Sequence, residues 1–262
     1  MRLKNAKKSS KNYWRCKKIL TEAQKKRYSR QIISPYIGEE GQEKLSKIRV
    51  LQIGAGGLGS PFALYLVAAG IKELTIIDND TVSISNLQRQ ILYSESQIGM
   101  EKVLAANERL STLNSEVEIK LHHEYVDENS IEKHIKNKDF IVDCSDNFKT
   151  KFLVNRVAVE FGVKSIIAGI KDFFGQIITI NPKISACYEC VFNQPNSFDT
   201  SESPLPVIGV TPGILGTLEA LEVIKTTLDL PNLENKLLMV NLLNLSFETI
   251  DLIRSENCFC SQ

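Results

Sequence analysis

The chain has 262 residues, 43% of them hydrophobic and 24% charged, with a formal net charge of +1. That length and apolar content suffice to bury one large core, and the near-neutral balance gives no electrostatic case for nucleic acid as a partner. No apolar run approaches the roughly 18 residues of a membrane span, and the N-terminus lacks the apolar segment of a secretory signal, so no membrane is expected and the expected compartment is the cytoplasm.

The charge is unevenly spread. Residues 1–20 carry eight Lys/Arg and no acidic residue, which reads as a disordered, solvated arm; a contact for an acidic partner and an organelle transit peptide are the other readings. Cys16 has no cysteine at a pairing distance. Thr21-Glu22-Ala23-Gln24 is a capping box, with Thr21 capping the first turn and Gln24 reaching back. The helix it opens carries Arg27, Tyr28 and Arg30, the two arginines three apart on one face.

The strongest signal lies between Ile48 and Gln90. Val50-Leu51-Gln52-Ile53 reads as a buried strand, and Gly54-Ala55-Gly56-Gly57-Leu58-Gly59 follows as a G-x-G-x-x-G turn. An apolar helix ends near Gly70, and a strand from Leu74 to Ile77 delivers Asp78. This order is a βαβ nucleotide-binding unit: glycines permit close backbone approach, a helix N-terminus faces a phosphate, and the acid lies where a ribose hydroxyl would be. Asp80, Asn86, Arg89 and Gln90 then crowd one loop, and Lys102 opens the next helix. Cations converging on a phosphate-binding geometry point to chemistry on ATP; a hydride transfer with a nicotinamide cofactor, the rival reading, needs no such cluster.

Further along, 102–113 reads as a helix, 117–121 as a strand and 130–135 as a short helix. Phe140-Ile141-Val142 is a parallel strand that ends in Asp143-Cys144-Ser145-Asp146-Asn147. Ligands of open α/β sheets bind beyond the carboxyl ends of strands, so Asp146 lies where a magnesium-bound triphosphate would be; it also reads as N-cap of the helix beginning near Phe148. Asp143 and Cys144 read as packing and loop residues. A helix over 149–161, a strand over 165–168 and an antiparallel strand over 176–180 follow. Cys187 and Cys190 form a C-x-x-C pair, either metal-binding or redox-active, and Cys258 and Cys260 supply a second pair. Four thiolates make a structural zinc site. The polar stretch 193–206 reads as a mobile loop, 209–225 as an apolar helix, and 237–240 and 247–253 as strands.

Arg27-Tyr28-Ser29-Arg30-Gln31, GAGGLGS, IIDNDTVSISNLQRQ, Asp143 to Asn147 and Cys187-Tyr188-Glu189-Cys190 together closely resemble the ThiF/MoeB/HesA family, from about Thr21 to the C-terminus. The resemblance implies an α/β fold, with a Rossmann-like, mostly parallel sheet, an antiparallel C-terminal extension and a structural zinc appendage. It implies a nucleotide-binding core at about 48–170, a crossover loop at 193–206 and a carrier-binding and zinc region at about 174–262. The implied activity is ATP-dependent adenylation of the C-terminal glycine of a small ubiquitin-like sulfur-carrier protein ending Gly-Gly, for molybdopterin or thiamin synthesis. Adenylation of a ribosomal peptide, as in microcin-type relatives, is the alternative within the family.

The nucleotide contacts carried over are Gly54, Gly56, Gly57, Gly59, Asp78, Asp80, Ser85, Asn86, Leu87, Gln88, Arg89, Gln90, Lys102, Asp146 and Asn147. Arg89, Lys102 and Asp146 carry the catalytic role together with Arg30, which in the family reaches the triphosphate of a partner subunit and so implies a homodimer with shared active sites. Asp146 is the magnesium ligand, and Cys187, Cys190, Cys258 and Cys260 the zinc ligands. The family's second pair is spaced C-x-x-C; the C-x-C here leaves open whether all four thiols converge. Relatives that form a thioester or acyl disulfide carry a Cys in the crossover, where this chain has Ser201-Glu202-Ser203, so adenylation alone is expected. No rhodanese-like segment follows, and sulfur is expected from a separate sulfurtransferase or cysteine desulfurase.

Overall fold

Strands apolar on both faces must be covered by helices on both sides, and the alternation along each parallel strand sorts its residues between two layers. A computed structural model describes residues 20–182, 184–192 and 206–262; the basic arm before Leu20, Cys16 and the crossover segment with Ser201, Glu202 and Ser203 lie outside the described residues.

Helices α1 (Glu22–Arg27), α2 (Ser29–Ile32) and α3 (Gly38–Leu45) lead into β1 (Arg49–Ile53), followed by α4 (Gly59–Ala69), β2 (Glu73–Ile77), α5 (Lys102–Leu113), β3 (Glu118–His122), α6 (Glu128–Ile135), β4 (Phe140–Asp143), α7 (Phe148–Phe161) and β5 (Lys164–Lys171). Then come β6 (Phe174–Ile180), α8 (Tyr188–Val191), α9 (Val210–Thr227), β7 (Lys236–Asn241) and β8 (Ser246–Asp251). One sheet in the order β3-β2-β1-β4-β5-β6-β7-β8 contains all eight strands. The first five pair in parallel and the last three join antiparallel, which is the mixed sheet the sequence implied.

Val50, Leu74, Ile76, Phe140 and Val142 face one layer, where they meet Phe62 and Leu66 of α4, Leu110 of α5 and Leu215 and Val223 of α9. Leu51, Ile53, Ile77 and Ile141 face the other, against Ile131 and Ile135 of α6 and Phe152 and Val157 of α7. Each such side chain contributes about 1.5–3 kcal/mol by leaving water.

Two expectations change. The capping box at Thr21 forms as read, but the single helix through Arg30 is split at Tyr28, whose backbone leaves the helical region (φ −95°, ψ 15°). The split sends the Tyr28 ring into the core, so close beneath Gly70 that a Cβ there would lie 2.4 Å from it, and Asn114 Nδ2 donates to the phenol oxygen at 2.9 Å. Helix α3 was not foreseen: its mean character is polar and only Gly41, Gln42 and Leu45 are buried, so it depends on packing rather than on a broad apolar face.

At the start of β2, Glu73 is buried. Burial opposes its ionisation, but Lys120 Nζ at 2.6 Å and a close contact with Lys138 outweigh it and hold the carboxyl at about 2. The folded value lies below that of the unfolded chain, so its contribution is fully present above about pH 5 and is lost as pH falls toward 2. Glu73→Gln is therefore expected to lower stability at pH 7 by on the order of 2 kcal/mol and to flatten the pH dependence between 5 and 2 in urea-denaturation curves.

Candidate functional site

β1 and β4 are sheet neighbours, yet the chain proceeds from β1 outward through β2 and β3 and from β4 the other way through β5. The loops leaving their carboxyl ends therefore diverge, and a cavity of about 1070 Å³ opens between them. Its walls are the glycine-rich turn, the segment after β2, residues 125–129 before and within α6, and the loop 144–147.

The turn is held from below by groups from four segments of the chain. Gly54 takes φ +90°, and a Cβ there would meet the Cys144 carbonyl at 3.0 Å. Asp78 Oδ2 accepts the Ala55 N–H at 2.7 Å, and its Oδ1 accepts the Asp80 N–H at 2.8 Å. Gln52, buried in the middle of β1, donates to the carbonyls of Gly54 and Gly59 at 2.8 and 3.2 Å. Tyr93 donates to the Ala55 carbonyl at 2.7 Å, and burial pushes its phenol upward and keeps it a donor. Gln52 and Tyr93 were not singled out in the sequence, although a glutamine inside an apolar strand is a usable signal, since a buried amide must find partners.

Around this turn the structure gathers Gly54, Gly56, Gly57, Asp78, Asp80, Gln88, Arg89, Gln90, Lys102, Asp146 and Asn147. The Lys102 ammonium is almost wholly buried and pairs with Asp80 at 2.7 Å, while Asp80 itself stays open to solvent. Arg89, half-buried, donates to the Ser85 carbonyl at 3.1 Å. Asp146 is exposed, with no side-chain partner among the described residues, and the N-cap of α7 is Asn147, whose Oδ1 accepts the Thr150 N–H at 2.9 Å. The cap thus falls one residue beyond the position read from sequence and leaves the Asp146 carboxylate uncommitted.

Gly59, Ser85, Asn86 and Leu87 do not line the cavity. Asn86 instead closes a short helical turn by accepting the Ser83 N–H at 3.0 Å, Leu87 packs on the core, and Gly59 lies against the turn itself. Arg30 lines a separate cleft of about 420 Å³ with Arg27 and Tyr65.

Below the 143–146 loop, Lys151 ties the fully buried Asp143 at 2.7 Å and the carbonyls of Ser145 and Ala168 at 2.9 and 2.5 Å. Asp143 and Cys144 are both buried, and Cys144 also lines the cavity. Burial, then the charge of Asp143, raises the Glu219 carboxyl well above its usual range, and the Cys144 thiol donates to it.

Against α7, where Asn155 Nδ2 lies 3.8 Å from Cys187 Sγ, Cys187, Cys190, Cys258 and Cys260 converge. Their sulfurs lie 3.5 Å (187–258), 3.8 Å (187–190) and 3.6 Å (190–260) apart, against the ~3.8 Å edge of a tetrahedron with ~2.3 Å metal–sulfur bonds. A short helical turn, Phe259–Ser261, brings Cys260 around despite the C-x-C spacing, so all four thiols fit one tetrahedral ion.

Residues 28–262 match the ThiF family. The chain belongs to this family. Among its relatives, a sulfur carrier protein adenylyltransferase of Thermus thermophilus is 37% identical over 247 residues, covering 91% of this chain and 91% of its own length. An adenylyltransferase and sulfurtransferase MOCS3 of Xenopus laevis is 39% identical over 244 residues, 92% of this chain; the chain spans about half (54%) of that longer relative. The crystal structure of E. coli MccB with ATP superposes with a TM-score of 0.81 at 25% identity, covering 90% of this chain and 73% of that one.

The glycines of this chain differ in what they tolerate. A Cβ on Gly59 would meet the Gly54 carbonyl at 2.4 Å and Gln52 Nε2 at 2.5 Å, whereas one on Gly213, in α9, would meet nothing within 4 Å. Chemical denaturation is expected to find Gly59→Ala destabilised by about 2 kcal/mol or more and Gly213→Ala unchanged or stabilised by about 0.5 kcal/mol.

Proposed function

We propose that the chain is an adenylyltransferase that uses ATP to activate the C-terminal glycine carboxylate of a small ubiquitin-like sulfur-carrier protein. The observation that carries this reading is the convergence of the glycine-rich turn, Lys102, Arg89 and Asp146 on one cavity. A relative named as a sulfur carrier protein adenylyltransferase over 91% of both lengths supports it.

In this reading a carboxylate oxygen of the carrier attacks the α-phosphorus of ATP in line. The bond from that phosphorus to the bridging oxygen breaks, and pyrophosphate leaves with the electron pair. The nucleophile is already ionised, so no side chain has to remove a proton. What remains is positioning and charge stabilisation. Asp78 faces the ribose, the amides of the turn and the N-terminus of α4 face the phosphates, and Lys102 exchanges its contact with Asp80 for a phosphate oxygen. Arg89 adds a second cation. Arg30 lines a different cleft of its own chain; its match to the family's motif implies that it acts, in a homodimer, in the cavity of the other copy. Magnesium held through Asp146 supplies neutralisation at the phosphate oxygens when bound. The four thiols hold a structural zinc ion. The carrier docks on the antiparallel extension, where Phe174, Phe247 and Ile250 are exposed.

ATP–pyrophosphate exchange tests the reading. Exchange is expected only with a carrier ending Gly-Gly, to be lost when its terminal glycine is deleted, and to fall roughly 100- to 1,000-fold in Lys102→Ala and Arg89→Ala proteins that keep a wild-type melting curve. Near-wild-type exchange in both variants would refute the assignment. The likeness to MccB favours a second reading, adenylation of a ribosomal peptide; exchange driven by a short peptide and not by carriers would select it. For the thiol cluster, Cys260→Ser is expected to lose bound zinc, measured by elemental analysis, and to melt several degrees lower.

A further inference from the structure

All three histidines of the chain fall between positions 122 and 134, and two of them face each other. His122 ends β3 and Glu124 lies in the bend two residues later. Helix α6 then runs back and sets His134, in its last turn, opposite them. The imidazole rings stack with centroids 3.7 Å apart and planes tilted by 32°. His134 Nε2 lies 2.5 Å and His122 Nδ1 3.8 Å from the same oxygen, Glu124 Oε1. Lys133 holds the other carboxylate oxygen, at 3.5 Å. His123 points away, toward Glu101 Oε2 at 3.8 Å.

We propose that His122, Glu124 and His134 form a binding site for a divalent ion of the zinc class, distinct from the four-thiol cluster, that ties the end of β3 to α6. One donor atom from each residue lies within 4.8 Å of the other two. Bonds of ~2.0–2.1 Å in a tetrahedron require donor separations of ~3.4 Å, which small side-chain rotations supply. Two imidazoles and one carboxylate suit Zn²⁺, Co²⁺ or Ni²⁺ rather than Mg²⁺ or Ca²⁺, and three protein donors leave a fourth position for water. The backbone under the site is fixed, since the Asp78 N–H donates to the His122 carbonyl at 3.2 Å. Residues 125–129, between the ligands, line the large cavity, so an ion here stiffens one of its walls. The site stands on these three side chains alone and does not depend on the adenylation reading.

The test is a zinc titration of the full chain by calorimetry, with thermal melts with and without zinc, for wild type, His122→Gln and His134→Gln. Wild type is expected to bind one equivalent more than either variant at micromolar zinc, its affinity at this site falling more than about tenfold when one ligand is removed, and zinc is expected to raise its melting temperature further than theirs. A cooperative metal-free melt shows that the variants are folded, and Glu124→Gln, which keeps an oxygen acceptor for His134, replaces any variant that is not. Equal stoichiometry and equal zinc-dependent melting shifts in all proteins would overturn the site and leave His134 and Glu124 a simple structural pair.

Discussion

The cavity depends on the carboxylate of Asp78. One of its oxygens accepts the Ala55 N–H and the other the Asp80 N–H, so a single side chain at the end of β2 fixes both the glycine-rich turn and the first residues of the following loop. Charge-assisted bonds from backbone amides are among the stronger hydrogen bonds a protein makes. They act here where a Cβ on Gly54 would lie 3.0 Å from the Cys144 carbonyl, at a backbone φ of +90° that favours glycine. A change in this register would shift the floor of the cavity and the start of α4 together.

Charge is placed around that floor by the same logic of burial and pairing. Lys102 is buried but its partner Asp80 is open, so an incoming anion can compete for the ammonium without stranding a buried carboxylate. Lys151 and Asp143 are both buried and add two carbonyls to the pair; removing one partner there would leave an uncompensated charge. The first pair is built to be exchanged and the second to hold a loop still. Asp146 sits on that loop with its carboxylate free of partners among the described residues, because Asn147 takes the capping task.

The thiol cluster draws on both sides of α9 in sequence: Cys187 and Cys190 precede it, Cys258 and Cys260 follow β8. Joining such distant segments closes a long loop, the situation in which a crosslink or ion restrains the unfolded chain most. An ion held by these thiols would tie the segment after β6 to the segment after β8.

Much of this was legible in the chain itself. Two-sided apolar runs separated by amphipathic stretches determined the parallel core, and the turn glycines, Asp78, Arg89, Lys102 and the 143–147 segment announced themselves by residue type and order. Local rules decide those features: pattern, turn chemistry and the position of strand ends. What only the tertiary structure decided rests on contacts distant in sequence. Tyr28 breaks the first helix because Gly70 and Asn114 receive its ring. Gln52 and Tyr93 matter because the turn folds over them. Ser85, Asn86 and Leu87, part of the motif, point elsewhere because a short helical turn and the core claim them. Cys260 joins the other thiols because the chain curls at its end, which spacing alone left open.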